Sequence, residues 1–278
     1  MTASTATAGV TIIVLTHDRP GALRALLAGL LRQELEGMEM ELLVCNNSSR
    51  HKVSDSPLTR TGRLLGRFKD AKVFNSSYNW LCRIRYTLAL LAKHDVIMFL
   101  DDDLTPVDPH LVVRMASLLA TLGPHDIVSC WTSLWTAWDE ERLTKVRMGF
   151  LYPKPTVVTE VDYIGPGICM FNKRTLIHPS IMDLKPEDQA SDSGWFPWLT
   201  TLVHGTRKYY MPSHGMLRVH PESKIGGLTA LRGFREGQYA AFKRWWKLGY
   251  KPVLSFPHTP DSPEASAARE FRPEERKW

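Results

Sequence analysis

The sequence predicts an α/β protein built on a mostly parallel sheet with helices on both faces. Three observations carry this. Short apolar runs recur at 10–16, 40–45, 71–75, 95–100 and 126–132, the pattern of strands buried on both sides. Segments with helical periodicity separate several of them. Polar residues gather where three of the runs end, at Thr16–Arg19, Asn46–Ser49 and Asp101–Asp103. Strand and helix signals in alternation argue for parallel pairing, and such sheets bind ligands beyond the carboxyl ends of their strands. The three polar clusters are therefore expected to share one site.

Each element follows in order. "VTIIVLT" (10–16) reads as a buried strand. Asp18 can cap the next helix and Pro20 suits its first turn. Leu23, Leu26, Leu27, Leu30 and Leu31 fall on one helical face. "MELLVC" (40–45) is a second strand, followed by a polar, basic segment at 50–70 and a short strand at 71–75. A helix is predicted over Tyr78–Lys93, a strand over 95–100, a helix over 108–123 closed by Gly123, and a strand over 126–132. The second half is less regular. It holds a Gly-Pro-Gly turn (165–167) leading to a strand and short helix, a helix at 191–205 ended by Gly205, a strand in "RKYYMPSHG", and a basic, aromatic helix over Leu228–Leu248. A single domain over 1–255 is expected, with halves at 10–132 and 133–255. The Pro-, Ser-, Glu- and Arg-rich tail, 256–278, reads as disordered.

With 278 residues, 44% hydrophobic and 23% charged, the chain can bury a core without staples. Cys45, Cys82, Cys130 and Cys169 form no CxxC pair, which fits reduced core cysteines in a cytoplasmic protein. No apolar run is long enough to span a membrane, and the N-terminus lacks a basic region before its short apolar run. The net charge of +6 suits an anionic partner, whether nucleotide, nucleic acid or membrane surface, without choosing among them.

Asp101, Asp102 and Asp103 close the strand "VIMFL". Three adjacent carboxylates repel, and burying them unpaired is costly. A divalent cation removes the conflict: Mg²⁺ or Mn²⁺ takes one or two carboxylates together with phosphates and water. In extended chain Asp101 and Asp103 face one side and Asp102 the other, so Asp103 can hold metal while Asp101 faces the same ligand. The plain alternative is a solvated turn before a helix capped by Asp108.

In order, "VTIIVLTHDRP", "LLVCNNSS", "NWLCRIRYTLALL", "FLDDDLTP", "VDYIGPGICMFNKRTL", "ASDSGWF" and "KYYMPSHG" resemble the motif series of GT-A fold glycosyltransferases. The match is to the inverting family-2 type, and some phage-encoded members are similar. The resemblance spans about residues 10–215. It implies a Rossmann-like nucleotide-sugar half and an acceptor half. Thr16, His17, Asp18 and Arg19 would line the nucleobase and ribose pocket. Asn46-Asn47 stand where the family carries "DDGS" or "DNGS"; an amide still reads a base edge but lacks the charge-assisted bond. Arg85, with Asn79, would face ribose or phosphates. Asp101 and Asp102 would contact the donor, and Asp103 the metal. Gly165 and Gly167 would let backbone approach the sugar.

The resemblance also implies a general base that takes the proton of the acceptor hydroxyl. Asp192 matches that position, with Ser191 in place of the usual acid; Glu187-Asp188 is the runner-up. His214 would be a further metal or phosphate ligand, with His220 competing. Trp195, Phe196 and Trp198 would form an acceptor platform or pack in the core, Trp198 in the core. The implied function is metal-dependent sugar transfer from a nucleoside-diphosphate sugar, UDP-sugar by default, to an acceptor hydroxyl with inversion. The acceptor is a glycan, a lipid-linked glycan, a small molecule or nucleic acid, including a modified DNA base. Basic and aromatic residues interleaved over 231–251 suit a nucleic acid or a membrane-borne acceptor equally. A sugar nucleotidyltransferase would want more glycines after the first strand than "THDRPGALR" offers. A non-catalytic sugar-binding module is the remaining reading.

Overall fold

A computed structural model describes residues 9–48, 50, 52–53, 60–138, 143–182, 195–224, 240–244, 247–248 and 250–253. In chain order the strands and helices of the first half are β1 (Gly9–Thr16), α1 (Pro20–Leu30), β2 (Glu39–Asn46), α2 (Arg60–Leu65), β3 (Asp70–Asn75), α3 (Ile84–Leu90), β4 (Val96–Asp101), β5 (Leu104–Pro106), α4 (Leu111–Ala120) and β6 (Ile127–Ser129). The second half adds β7 (Trp131–Trp138), β8 (Leu143–Gly149), β9 (Thr159–Glu160), β10 (Tyr163–Ile164), β11 (Ile168–Asn172), α5 (Pro179–Met182), α6 (Phe196–His204), β12 (Lys208–Tyr210) and β13 (Leu217–Val219).

Eight strands form the main sheet in the order β3-β2-β1-β4-β11-β6-β12-β9. The first four are mutually parallel. β11 runs antiparallel to both β4 and β6, and β12 returns parallel to β6. A smaller antiparallel sheet, β10-β7-β8, and the ribbon β13-β5 complete the fold.

Period-two alternation divides the apolar side chains between two faces. Ile12 and Val14 pack with Leu23, Leu26 and Leu27 of α1 and Met115 of α4. Ile13 packs on the other face with Tyr86 of α3 and Phe196 and Trp198 of α6. Each of the α1 leucines, fully buried, contributes about 1.5–3 kcal/mol relative to an exposed position. The expected α/β sheet with helices on both faces is therefore observed, with one antiparallel strand, β11, in its middle.

Several local expectations differ from the structure. Asp18 does not cap α1. Its φ is +56°, it turns the chain, and Arg19 takes the N-cap position without a side-chain bond to the helix. The first turn is capped instead from 200 residues away: the Ala22 N–H donates to Glu222 Oε2 at 2.9 Å. The helix expected over Tyr78–Lys93 is confined to Ile84–Leu90, because Leu81 has a φ of +52° and its N–H donates to the Asn79 side chain, a local turn that competes with helix. The Asp108 side chain accepts from the His110 N–H at 2.7 Å, while its backbone carbonyl accepts the Leu111 N–H of α4 at 3.4 Å. The basic segment 50–70 contains α2. Most of the helix expected over Leu228–Leu248, and the tail 256–278, lie outside the described residues. No helix among the described residues is long and apolar enough to cross a membrane.

Candidate active site

Strand register brings the polar clusters to one edge. Thr16 pairs with Asn46, Leu15 with Asp101, and Asn46 with Asn75. The Asn47 N–H donates to the Thr16 carbonyl at 2.9 Å. The amides of Asn46 and Asn47 are engaged in building this edge. Asn46 donates to Asn75 Oδ1 at 3.0 Å and accepts from the Ser48 N–H at 3.1 Å, and Asn47 donates to the Leu81 carbonyl at 3.0 Å. The Ser48 hydroxyl donates to the Asp18 carboxylate. His17 is left partly open to solvent.

The three aspartates meet two arginines. Arg19 Nη1 donates to Asp102 Oδ1 at 3.0 Å and to Asp103 Oδ2 at 3.1 Å. Buried Arg85 donates from Nη2 to Asp101 Oδ1 and from Nη1 to the Pro166 carbonyl, both at 2.9 Å. Its guanidinium lies over the Phe99 ring. Counted by formal charge, this cluster carries one carboxylate more than it has guanidiniums. Burial, then the neighbouring Asp101 and Asp102, pushes the Asp103 carboxyl up to about 7. Burial also raises Asp102, against the pull of Arg19. Asp102 Oδ2 is buried without a hydrogen-bond partner. This is not the solvated turn that a capped helix would leave.

Gly167 closes the cluster. Its carbonyl accepts the Asp101 N–H at 2.7 Å. A Cβ there would lie 2.1 Å from Asp101 Oδ2, and one on Gly165 would lie 2.6 Å from Trp131 Cδ1. Gly167→Ala is expected to displace Asp101 from Arg85 and cost about 1–3 kcal/mol of stability through overpacking. Thermal melting checks this, and an unchanged midpoint would refute it.

The register of β13 with β5 decides which histidine approaches the aspartates. Leu217 pairs with Pro106 and Val219 with Leu104, so the next pair sets His220 against Asp103, and the His220 N–H donates to the Asp103 carbonyl at 2.8 Å. His214 lies beyond the other end of this ribbon and is exposed. Among the described residues it makes no hydrogen bond to the cluster. Trp195, Phe196 and Trp198 are all fully buried, packed with Tyr86, Phe99 and Trp135. They are core, so the expected platform is not formed by them. Asp192 and the Glu187-Asp188 pair lie outside the described residues.

No local sequence pattern marks the strap that crosses this edge. Arg19 Nη2 donates to the Ser223 carbonyl at 3.3 Å, next to Glu222 on the start of α1. Arg19, expected to line the base and ribose pocket, is a counter-charge to Asp102 and Asp103.

Among the described residues no three or more His, Cys, Asp or Glu side chains converge on a metal position. The donor set is oxygen-rich, one carboxylate is in excess, and Asp102 Oδ2 is orphaned. That fits Mg²⁺ or Mn²⁺ arriving with a diphosphate, which supplies most of its ligands, rather than a closed protein site.

Comparison with known proteins agrees with this arrangement. Many solved structures share the fold, and two of them illustrate it. Staphylococcus aureus TarS superposes with a TM-score of 0.56 at 13% identity over 95% of this chain. GalNAc-T7, solved with UDP, GalNAc and Mn²⁺, gives a TM-score of 0.53 at 11% identity over 78%. The chain spans 42% and 44% of those two chains. No curated protein matches its sequence. The profile described as "Glycosyl transferase family 2" matches residues 11–176, more than half of the chain and the whole of the cluster built by β1, β2, β4 and β11. The chain belongs to glycosyl transferase family 2.

Proposed function

We propose that the enzyme moves a sugar from a nucleoside-diphosphate sugar, with UDP as the first choice of nucleotide, to an acceptor hydroxyl with inversion. The observation that carries this is the under-compensated aspartate cluster beyond β4, flanked by Gly167 and held by Arg19 and Arg85. Mn²⁺ or Mg²⁺, when bound, supplies electrostatic stabilisation to the departing diphosphate. Asp103 is the residue to hold it, with Asp101 oriented by Arg85 toward the same side. Asp102, locked by Arg19, fixes the turn that presents both. Thr16, His17 and Asp18 line the nucleotide end of the edge, and the Asn46–Asn47 turn shapes it. We assign the general base to Asp192, which takes the acceptor proton as its oxygen attacks the anomeric carbon. The presence of UDP and Mn²⁺ in the GalNAc-T7 structure supports the choice of nucleotide and ion.

The test follows nucleotide release from UDP-, GDP- and dTDP-sugars with Mn²⁺, with Mg²⁺ and with EDTA. Release or binding of one donor that EDTA abolishes is the expected result. Equal binding of that donor in EDTA and in Mn²⁺ would remove the metal from the proposal, and no binding of any donor would remove the donor class.

A further inference from the structure

We propose that the groove between α1 and α2 binds a linear phosphodiester chain at a site separate from the donor cleft. α1 packs beside α2, and between them lies a groove of about 370 Å³ lined by Arg24, Ala28, Arg60, Arg63, Leu64 and Arg67. Among the described residues that line it, four of six are arginines and none is acidic. Among the described residues none of the four arginines forms an ion pair, and Arg24 Nε is buried with no hydrogen-bond partner. Arg60, Arg63 and Arg67, at i, i+3 and i+7, share one face of α2 and the turn that continues it. Uncompensated like charges this close make an anion site, and a guanidinium fork matches a phosphate with two parallel bonds.

The shape selects the class of anion. The arginine row extends about 10 Å along the helix, which suits repeated phosphates rather than one ion. Ala28 and Leu64 give the groove an apolar floor against which the linking groups of such a chain can lie. A lipid surface fits less well. An interfacial helix buries large apolar side chains in the bilayer, and no large hydrophobic residue of α1 or α2 is exposed among the described residues.

The test uses the full chain and a fluorescein-labelled single-stranded 15-mer oligonucleotide, titrated by anisotropy at several salt concentrations. If each of four arginines neutralises one phosphate, log K falls with log salt at a slope of about −3, and Arg63→Glu with Arg67→Glu halves that slope. The same pair of substitutions should weaken binding at least tenfold, by the usual scale of lost phosphate contacts. Arg174→Glu with Lys243→Glu changes net charge equally at exposed positions in the second half and should bind like the wild type. All four substituted side chains are exposed, and melting curves verify that both variants fold. Equal loss in both variants would overturn the proposal, since only net charge would then matter. So would polyglutamate competing as well as tripolyphosphate. Binding confined to anionic phospholipid vesicles would overturn it in favour of a membrane surface.

Discussion

Asp103→Ala is expected to lower sugar transfer by about a thousandfold, the rate equivalent of several kcal/mol of metal-borne charge stabilisation, while the folded protein loses no stability. The two effects have one cause. The cluster sets Asp101, Asp102 and Asp103 against Arg19 and Arg85, and its surplus negative charge suits an incoming cation but opposes folding. The alanine variant balances the charges and leaves Arg19 on Asp102. The pH dependence has a definite sign. An aspartate raised from 3.8 to about 7 in the folded chain holds a proton that the unfolded chain has released. Its contribution is therefore present below the unfolded value and fades as pH rises through 7. Wild type should lose this contribution between those limits, and Asp103→Ala should not. Turnover within tenfold of wild type, or a melting midpoint well below it, would refute the assignment.

Asp162→Ala is expected to destabilise the fold by about 3–5 kcal/mol, the usual cost of breaking a buried charged network from one side. That corresponds to a fall in Tm on the order of 10 °C for a chain of this size. Asp162 is fully buried and accepts from the backbone N–H groups of Trp135 at 2.6 Å and Val253 at 2.7 Å. The Tyr250 hydroxyl donates to it at 3.3 Å. Lys208, also buried, donates to Thr201 Oγ1 at 2.8 Å and to the Tyr250 oxygen at 3.3 Å. Alanine orphans two N–H groups and takes from Lys208 the nearby carboxylate that favours its charge. Asp162→Asn keeps an acceptor oxygen and should lose less. Burial depresses Lys208 from 10.5 to about 8, so between those values the unfolded chain binds a proton the folded chain lacks. The Lys208 contribution to stability accordingly rises with pH through that window. Thermal melts across pH 7–10 read both effects; an alanine variant within about 1 kcal/mol of wild type, inside the range of ordinary surface substitutions, would show the network to be dispensable.

The parts of the fold that were legible depend on local pattern. Ile12, Ile13 and Val14 declare a strand covered on both faces, and the leucines of α1 declare its buried side. Three aspartates directly after Leu100 mark the ligand edge because burying them without use is expensive. What was not legible depends on residues far apart. β11 inserts antiparallel beside β4 only after the β7–β8 hairpin, and its apolar residues would serve either direction. The pairing of Arg19 with Asp102 and Asp103 spans more than 80 residues, so an arginine in a "THDRP" turn gave no hint of it. His214 and His220 look alike in sequence; only the β5–β13 register separates them. Trp195 and Phe196 follow an ordinary amphipathic pattern that does not distinguish a core aromatic from an open platform.

The strap at Glu222 and Ser223 has a consequence for biosynthesis. A growing chain can pair β1 with β2 as soon as both have left the ribosome, yet the α1 start and the Nη2 of Arg19 wait for partners about 200 residues later. At 5–20 residues per second this is a delay of about 10–40 s. During that time the nascent chain holds a formed sheet and an unfinished polar edge, which closes only once Glu222 and Ser223 have emerged.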